Sequence, residues 1–119
     1  MDQRFRRADR LRRRADFDRV FANNAFAADN TLVIRACKNG LTCSRLGISI
    51  SRKFGNAVTR NLWKRLIREA FRQQRATLPA GLDLVVRPRR GARPDYHTIQ
   101  PALLRLARRM ARSLKVNHP

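Results

Sequence analysis

Ser51-Arg52-Lys53-Phe54-Gly55-Asn56-Ala57-Val58-Thr59-Arg60-Asn61-Leu62-Trp63-Lys64-Arg65-Leu66-Ile67-Arg68-Glu69-Ala70-Phe71-Arg72 is the stretch on which the fold turns. It reads as the end of a strand, a tight Gly55-Asn56 turn, and a helix from about Ala57 to Gln74 with two opposed faces. At about 100° per residue, Val58, Leu62, Trp63, Leu66, Ile67, Ala70 and Phe71 fall on one side. Lys64, Arg65, Arg68, Arg72 and Arg75 fall on the other, with Asn61 among them and Arg60 near the boundary. Glu69 is the only acid in this helix. The wide apolar stripe calls for a core to pack on. The cationic face repels itself unless an anion lies against it, and the amides at the helix start favour an anion too.

Upstream, Leu46-Gly47-Ile48-Ser49-Ile50-Ser51 alternates strictly, with Leu46, Ile48 and Ile50 on one face and Gly47, Ser49 and Ser51 on the other. A face bearing only Gly and Ser is either a solvated surface or a groove floor that phosphates or bases can approach closely. Thr31 to Cys37 is β-branched and apolar and reads as an earlier strand, and Lys38-Asn39-Gly40 as a hairpin turn signal. Phe17, Val20 and Phe21 have the spacing of one face of a short helix from about Arg14 to Asn23. Core packing is the simpler role for the two phenylalanines, and an aromatic platform beside a nucleic-acid strand the sharper one. Residues 1–13, rich in arginine, read as a flexible basic arm.

Downstream, Leu82 to Arg87 reads as a third strand closed by Pro88. Arg87-Pro88-Arg89-Arg90-Gly91-Ala92-Arg93-Pro94 is a basic loop, either solvated or in contact with RNA. A last helix is expected from about Thr98 to Lys115, with Thr98 as its cap and Pro101 in its first turn. Residues 116–119 read as a frayed tail. The order helix, strand, strand, helix, strand, helix predicts a small α+β sandwich, helices on a short sheet, in a single domain spanning 1–119.

The charge balance narrows the function. There are 28 Lys+Arg against 8 Asp+Glu, a net charge of +20, which is the footprint of a polyanion binder. Arginine outnumbers lysine 24 to 4. Guanidinium forks suit phosphate and base stacking in RNA, though a genomic base-composition bias accounts for the ratio equally well. Cys37 and Cys43 lack the further ligands a zinc site needs and read as reduced thiols near a hairpin, which suits a cytosolic setting. No signal peptide and no membrane-length apolar run is legible. The acids are scattered, and His97 and His118 lie in separate segments. No carboxylate cluster, His pair, phosphate-binding glycine loop or nucleophile constellation emerges. The residues therefore describe a nucleic-acid binder that does not itself perform the chemical step.

The run from Arg45 through Arg72 resembles the signature of the protein component of bacterial ribonuclease P, from its second strand through its arginine-asparagine helix. Length, element order and the Phe17-x-x-Val20-Phe21 pattern fit as well, so the resemblance covers most of the chain. It implies a left-handed βαβ crossover, against the usual right-handed rule. It also implies binding to a large catalytic RNA that holds Mg2+ and removes the 5′ leader of precursor transfer RNA, with no metal held tightly by the protein. The implied RNA-binding positions are Arg52, Lys53, Gly55 and Asn56 in the turn and Arg60, Asn61, Lys64, Arg65, Arg68 and Arg72 on the helix. The implied leader cleft has Phe17 and Phe21 on one side and Ser49 and Ser51 on the other. No obligate protein partner and no membrane is implied. Two positions depart from the pattern. Leu62 stands where many members carry arginine, which means either one RNA contact fewer or a slightly different core placement. Arg35 stands where members often carry tyrosine, which leaves the stacking contact there open. A structural RNA-binding protein such as a ribosomal component is the alternative, and a DNA-binding role is weaker because no helix-turn-helix is legible. Against the ribosomal alternative stands the Phe and Gly/Ser groove, expected to face away from the arginine helix as a second surface.

Overall fold

The computed structural model describes residues 7–23 and 25–115. After a 3-10 turn at Arg7–Asp9 come α1 (Arg14–Ala22), β1 (Phe26–Ala28), β2 (Leu32–Lys38) and β3 (Arg45–Ile48). A second 3-10 turn at Arg52–Phe54 leads into α2 (Ala57–Gln73), followed by β4 (Leu82–Pro88) and α3 (Tyr96–Ser113). The sheet order is β1-β2-β4-β3. β1 and β4 flank β2 in antiparallel pairing, and β3 runs parallel to β4. This is the expected α+β class, with α2 as the crossover between parallel β3 and β4.

Several expectations change. The Asn39-Gly40 turn does not close a hairpin, because β4 inserts between β2 and β3. Asn39 instead organises its own loop: its side-chain oxygen accepts from the Leu41 N–H at 2.8 Å, and its side-chain NH2 donates to the Cys43 carbonyl at 3.0 Å. A fourth strand, Phe26-Ala27-Ala28, is present at the edge, where register Phe26↔Arg35 and Ala27↔Ile34 recruits two alanines of weak strand preference. The supposed flexible arm is packed from Arg7 onward. Leu11 is buried and its N–H donates to the Leu46 carbonyl at 3.0 Å, while Asp9 pairs with Arg75. The rest of the supposed arm, residues 1–6, and the tail 116–119 lie outside the described residues.

The period of two along the strands divides the interior. Leu32, Ile34, Leu46, Leu82, Leu84 and Val86 face α2 and α3, where they meet Trp63, Ile67, Phe71, Leu103, Leu106 and Met110. Cys37 and Val85 point to the other face, where Leu11, Val20 and half-buried Phe17 cover them. Asn56 caps α2, its side-chain oxygen accepting from the Thr59 N–H at 2.9 Å. α3 begins two residues earlier than expected, with Asp95 and not Thr98 as its cap. Pro101 consequently sits beyond the first turn and deprives the His97 carbonyl of its helical donor. Among the described residues no helix is long and apolar enough to cross a membrane.

Asp83, fully buried in the middle of the sheet, ties these layers together. Arg45 of β3 grips it with Nε at 2.8 Å and Nη2 at 2.7 Å. Asn39 adds a hydrogen bond at 3.0 Å, and Arg19 of α1 completes the set. Burial pushes this carboxyl toward its neutral form, but bonds from Arg45 and Asn39 and the charges of Arg45 and Arg19 outweigh it and hold its pKa below the ordinary value. A depressed folded-state pKa contributes stability that is complete above the unfolded value, about 3.9, and is lost as pH falls through the folded one. Asp83→Asn is therefore expected to lower unfolding stability by about 2–4 kcal/mol at pH 7. Its difference from the parent in denaturant titrations should shrink steadily below about pH 4, and a pH-independent difference would refute this role.

Candidate nucleic-acid interface

The apolar stripe of α2 buries Trp63, Ile67, Ala70 and Phe71 against the sheet and α3. This orients the opposite side outward. Asn61 and Arg65 are exposed, and Arg60, Lys64 and Arg68 are half-buried with no ion pair among the described residues. Arg72 differs, because it is bound to Glu69 through Nε at 3.1 Å and through Nη2. That hydrogen bond holds the Glu69 carboxyl below its usual range and raises Arg72. The one acid of the helix is thus already matched, and the remaining cations face outward. Val58, read as part of the apolar stripe, is 77% exposed because the first turn of α2 overhangs the core. It lines a shallow surface with Asn61, Leu62 and Arg65, so half-buried Leu62 borders the cationic face.

The turn residues divide by role. Arg52 and Lys53 are exposed in the 3-10 turn. Asn56 spends its side-chain oxygen on the helix cap. Gly55 has an extended backbone, φ 171°, that any residue adopts.

A cavity of about 200 Å3 lies at the edge of β3. Lys64 and Arg68 of α2 reach it from one side, and Arg10 and Arg12 of the N-terminal segment from the other. Phe17 and Gly47 line the same cavity. The aromatic side of the expected cleft therefore adjoins the arginine helix rather than facing away from it. Burial, together with the charge of Arg10, pushes the Arg68 guanidinium below its usual pKa. Converging cations of this kind favour an anion between them. Gly47 is needed for a different reason from the one its pattern suggests. A Cβ there would come within 2.7 Å of the Phe17 ring, so the ring occupies the close approach reserved above for a ligand.

The remaining cleft residues sit apart. Ser49 and Ser51 line a shallow recess with Phe54, Arg87 and Pro88, and neither Phe17 nor Phe21 borders it. Phe21 is 42% exposed, and Phe26 is 61% exposed across from it. The Arg35 guanidinium lies between them, 5.8 Å and 5.7 Å from the two ring centroids. Arg35 thus joins an exposed aromatic-cation layer where tyrosine was the expected residue. Arg10, Arg12 and Phe26 were not legible as site residues, because the first two sit in an apparently unstructured arm and the third on an unrecognised strand.

The described acids are engaged internally. Asp9 pairs with Arg75, Asp16 with Arg19, Asp18 with Arg14, Asp29 with Arg105, Glu69 with Arg72 and Asp83 with Arg45, while Asp95 caps α3. Among the described residues no group of three or more His, Cys, Asp and Glu is placed to hold a metal ion.

Comparison with known proteins gives this geometry its context. The family model described as Ribonuclease P matches residues 5–111. The ribonuclease P protein component of Thermotoga sp. strain RQ2 is 42% identical over 115 residues, covering 92% of this chain and 98% of the relative. The solved ribonuclease P protein of Thermotoga maritima superposes with a TM-score of 0.77 at 41% identity, over 84% of this chain and 96% of that one. That of Staphylococcus aureus gives 0.73 at 34% identity, over 92% and 98%. On sequence, fold and extent together, the chain belongs to the ribonuclease P protein family.

Proposed function

We propose that this chain docks on the catalytic RNA of ribonuclease P through the outward face of α2, and that it receives the 5′ leader of precursor transfer RNA along the α1 side of the sheet. Family membership makes it a protein component of a transfer-RNA-processing endoribonuclease, and it replaces the ribosomal-component alternative. The observation that carries the docking surface is the set Arg60, Lys64, Arg65 and Arg68, without an ion pair among the described residues while Glu69 is consumed by Arg72. Arg52 and Lys53 extend this surface toward the preceding turn. Phe17, Phe21, Ser49 and Ser51 serve the leader, with Arg35 and Phe26 added to the aromatic layer. Hydrolysis belongs to metal ions held by the RNA, chiefly Mg2+, while most of the described acids of this chain pair with its own arginines. The protein's share is to bind, orient and neutralise phosphate. We place this work in the cytoplasm, with RNA as the partner and no obligate protein subunit.

Reconstitution tests the proposal. The purified chain alone should leave precursor transfer RNA intact, and adding it to the cognate RNA at low Mg2+ should restore 5′ cleavage. Cleavage by the chain unaided, or no effect on the RNA, would sink it. The docking face makes a separate claim. Arg65→Ala combined with Arg68→Ala should flatten the plot of log affinity against log salt by about 1.4–1.8. An unchanged slope in filter-binding titrations would show that these side chains do not meet phosphate.

A further inference from the structure

The outward face of α3 belongs neither to the α2 docking surface nor to the aromatic layer beside α1. Ile99, Leu103, Leu106 and Met110 are buried on the inward side of this helix. Arg105, Arg108, Arg109 and Arg112 have the i, i+3, i+4, i+7 spacing of a single stripe on the other side. Arg105, Arg109 and Arg112 are exposed, and Arg108 is half-buried. No Asp or Glu occurs between Tyr96 and Lys115. Arg105 pairs with Asp29, whereas Arg108, Arg109 and Arg112 have no ion pair among the described residues. The helix dipole favours a cation in the last turn, which accounts for Arg112 alone. Arg108 and Arg109 lie deeper, where like charges at i, i+3 and i, i+4 work against the helix. An anion along the stripe relieves that repulsion.

The sheet sets this stripe beside the aromatic layer. α3 packs over β2 and β1, and Ala27 of β1 points into the core on that side. By strand alternation Phe26 points to the opposite side, where Arg35 lies between it and Phe21. β1 is the edge strand, so only its width separates the aromatic layer from α3. In the turn after β1, Asp29 is held by Arg105 and by the N–H groups of Thr31 and Leu32 at 2.8 and 2.9 Å, so its charge is already matched where a polyanion would cross. The segment before α3 lies beside Trp63, and Gln74, just past the end of α2, donates to the Gln100 carbonyl at 2.8 Å. α3 thus continues past the end of α2 and carries its arginines away from Arg60, Lys64 and Arg65.

We propose that this stripe is a second subsite for the 5′ leader. Single-stranded RNA lying on Phe21, Arg35 and Phe26 crosses the β1 edge, and its next phosphates rest on Arg109 and Arg112, with Arg108 beside them. The inference rests on the leader reading of the aromatic layer and extends it to nucleotides beyond those stacked there. Phosphate contacts carry no base readout, so the subsite responds to leader length rather than leader sequence.

Holoenzyme reconstituted from the intact chain and the cognate RNA is titrated with two precursor transfer RNAs that differ only in leader length. One leader covers the aromatic layer alone, and the other is long enough to round the β1 edge. The parent should bind the longer leader more tightly. Arg109→Ala combined with Arg112→Ala should weaken the long-leader complex about tenfold and flatten its salt slope by about 1.4, with the loss confined to that substrate. A parent indifferent to leader length, or a variant that keeps the full gain, overturns the subsite. An equal loss at both lengths reduces the stripe to general charge attraction and overturns it too, as does weaker binding of the catalytic RNA in the absence of substrate, which would assign the stripe to that RNA. Phe21→Ala combined with Phe26→Ala separates the two readings. If that pair changes neither complex, the aromatic layer is not a leader site and the subsite falls with it. If the pair matters and the α3 pair does not, the subsite alone falls.

Discussion

A carboxylate sealed inside a sheet is tolerable only if donors replace the water it has lost. Asp83 obtains four such bonds from three places: two from Arg45 on β3, one from Asn39 in the loop after β2, and one from Arg19 on α1. Satisfying one group therefore fixes the position of the parallel edge strand, the fold of the loop and the seat of the first helix. Asp16, within 3.3 Å of Arg19 and 3.7 Å of Arg45, shares the two guanidinium groups and keeps the cluster near balance. Cys37, the register partner of Asp83, lies in the small core on that face, and burial pushes its thiol pKa up. The aromatic residues of α1 and the small residues of β3 owe their spacing to this arrangement.

The same economy shapes the exterior. With only 8 acids in the chain, nearly every described one is drawn into the fold, so the surplus of +20 is expressed outward. Such a field raises the local concentration of polyanions and speeds their association, more strongly at low salt. Cations without an ion pair among the described residues stand on α2, in the loop after β4 and along α3. Arg45, Arg72, Arg75 and Arg105, equally basic in sequence, act as internal counter-ions. Composition alone does not separate these two populations; partner distances do.

How much of this was legible depended on whether the signal was local. The α2 amphipathy, its Asn56 boundary and the Leu46-Gly47-Ile48 alternation are contained in a few neighbouring residues, and they read correctly. β1 did not, because Ala27-Ala28 has little strand preference and is recruited by β2. The insertion of β4 between β2 and β3 was equally hidden, since Asn39-Gly40 signals a turn whatever pairs beyond it. Leu11 and Asp9 looked like stray points in a charged arm, and their partners Leu46 and Arg75 lie far along the chain. The cations of α2 were found by helical spacing. Their convergence with Arg10, Arg12 and Phe17 at the β3 edge was not, because cavities arise from contacts that sequence spacing does not encode.

The strand order carries a consequence for biosynthesis. β2 and β3 share no ladder of their own, and each finds its central partner only in β4. Until residue 88 has left the ribosome, β3 has no strand partner, β2 has only β1, and α2 has no complete sheet beneath it. Asp83 itself arrives with β4, so Arg19 and Arg45 await their counter-ion through most of translation. The nascent chain is therefore already strongly cationic while it is least folded. Long-range closure of this kind is slow relative to local helix formation, which gives the emerging α2 face time to meet an anion before its own core has assembled.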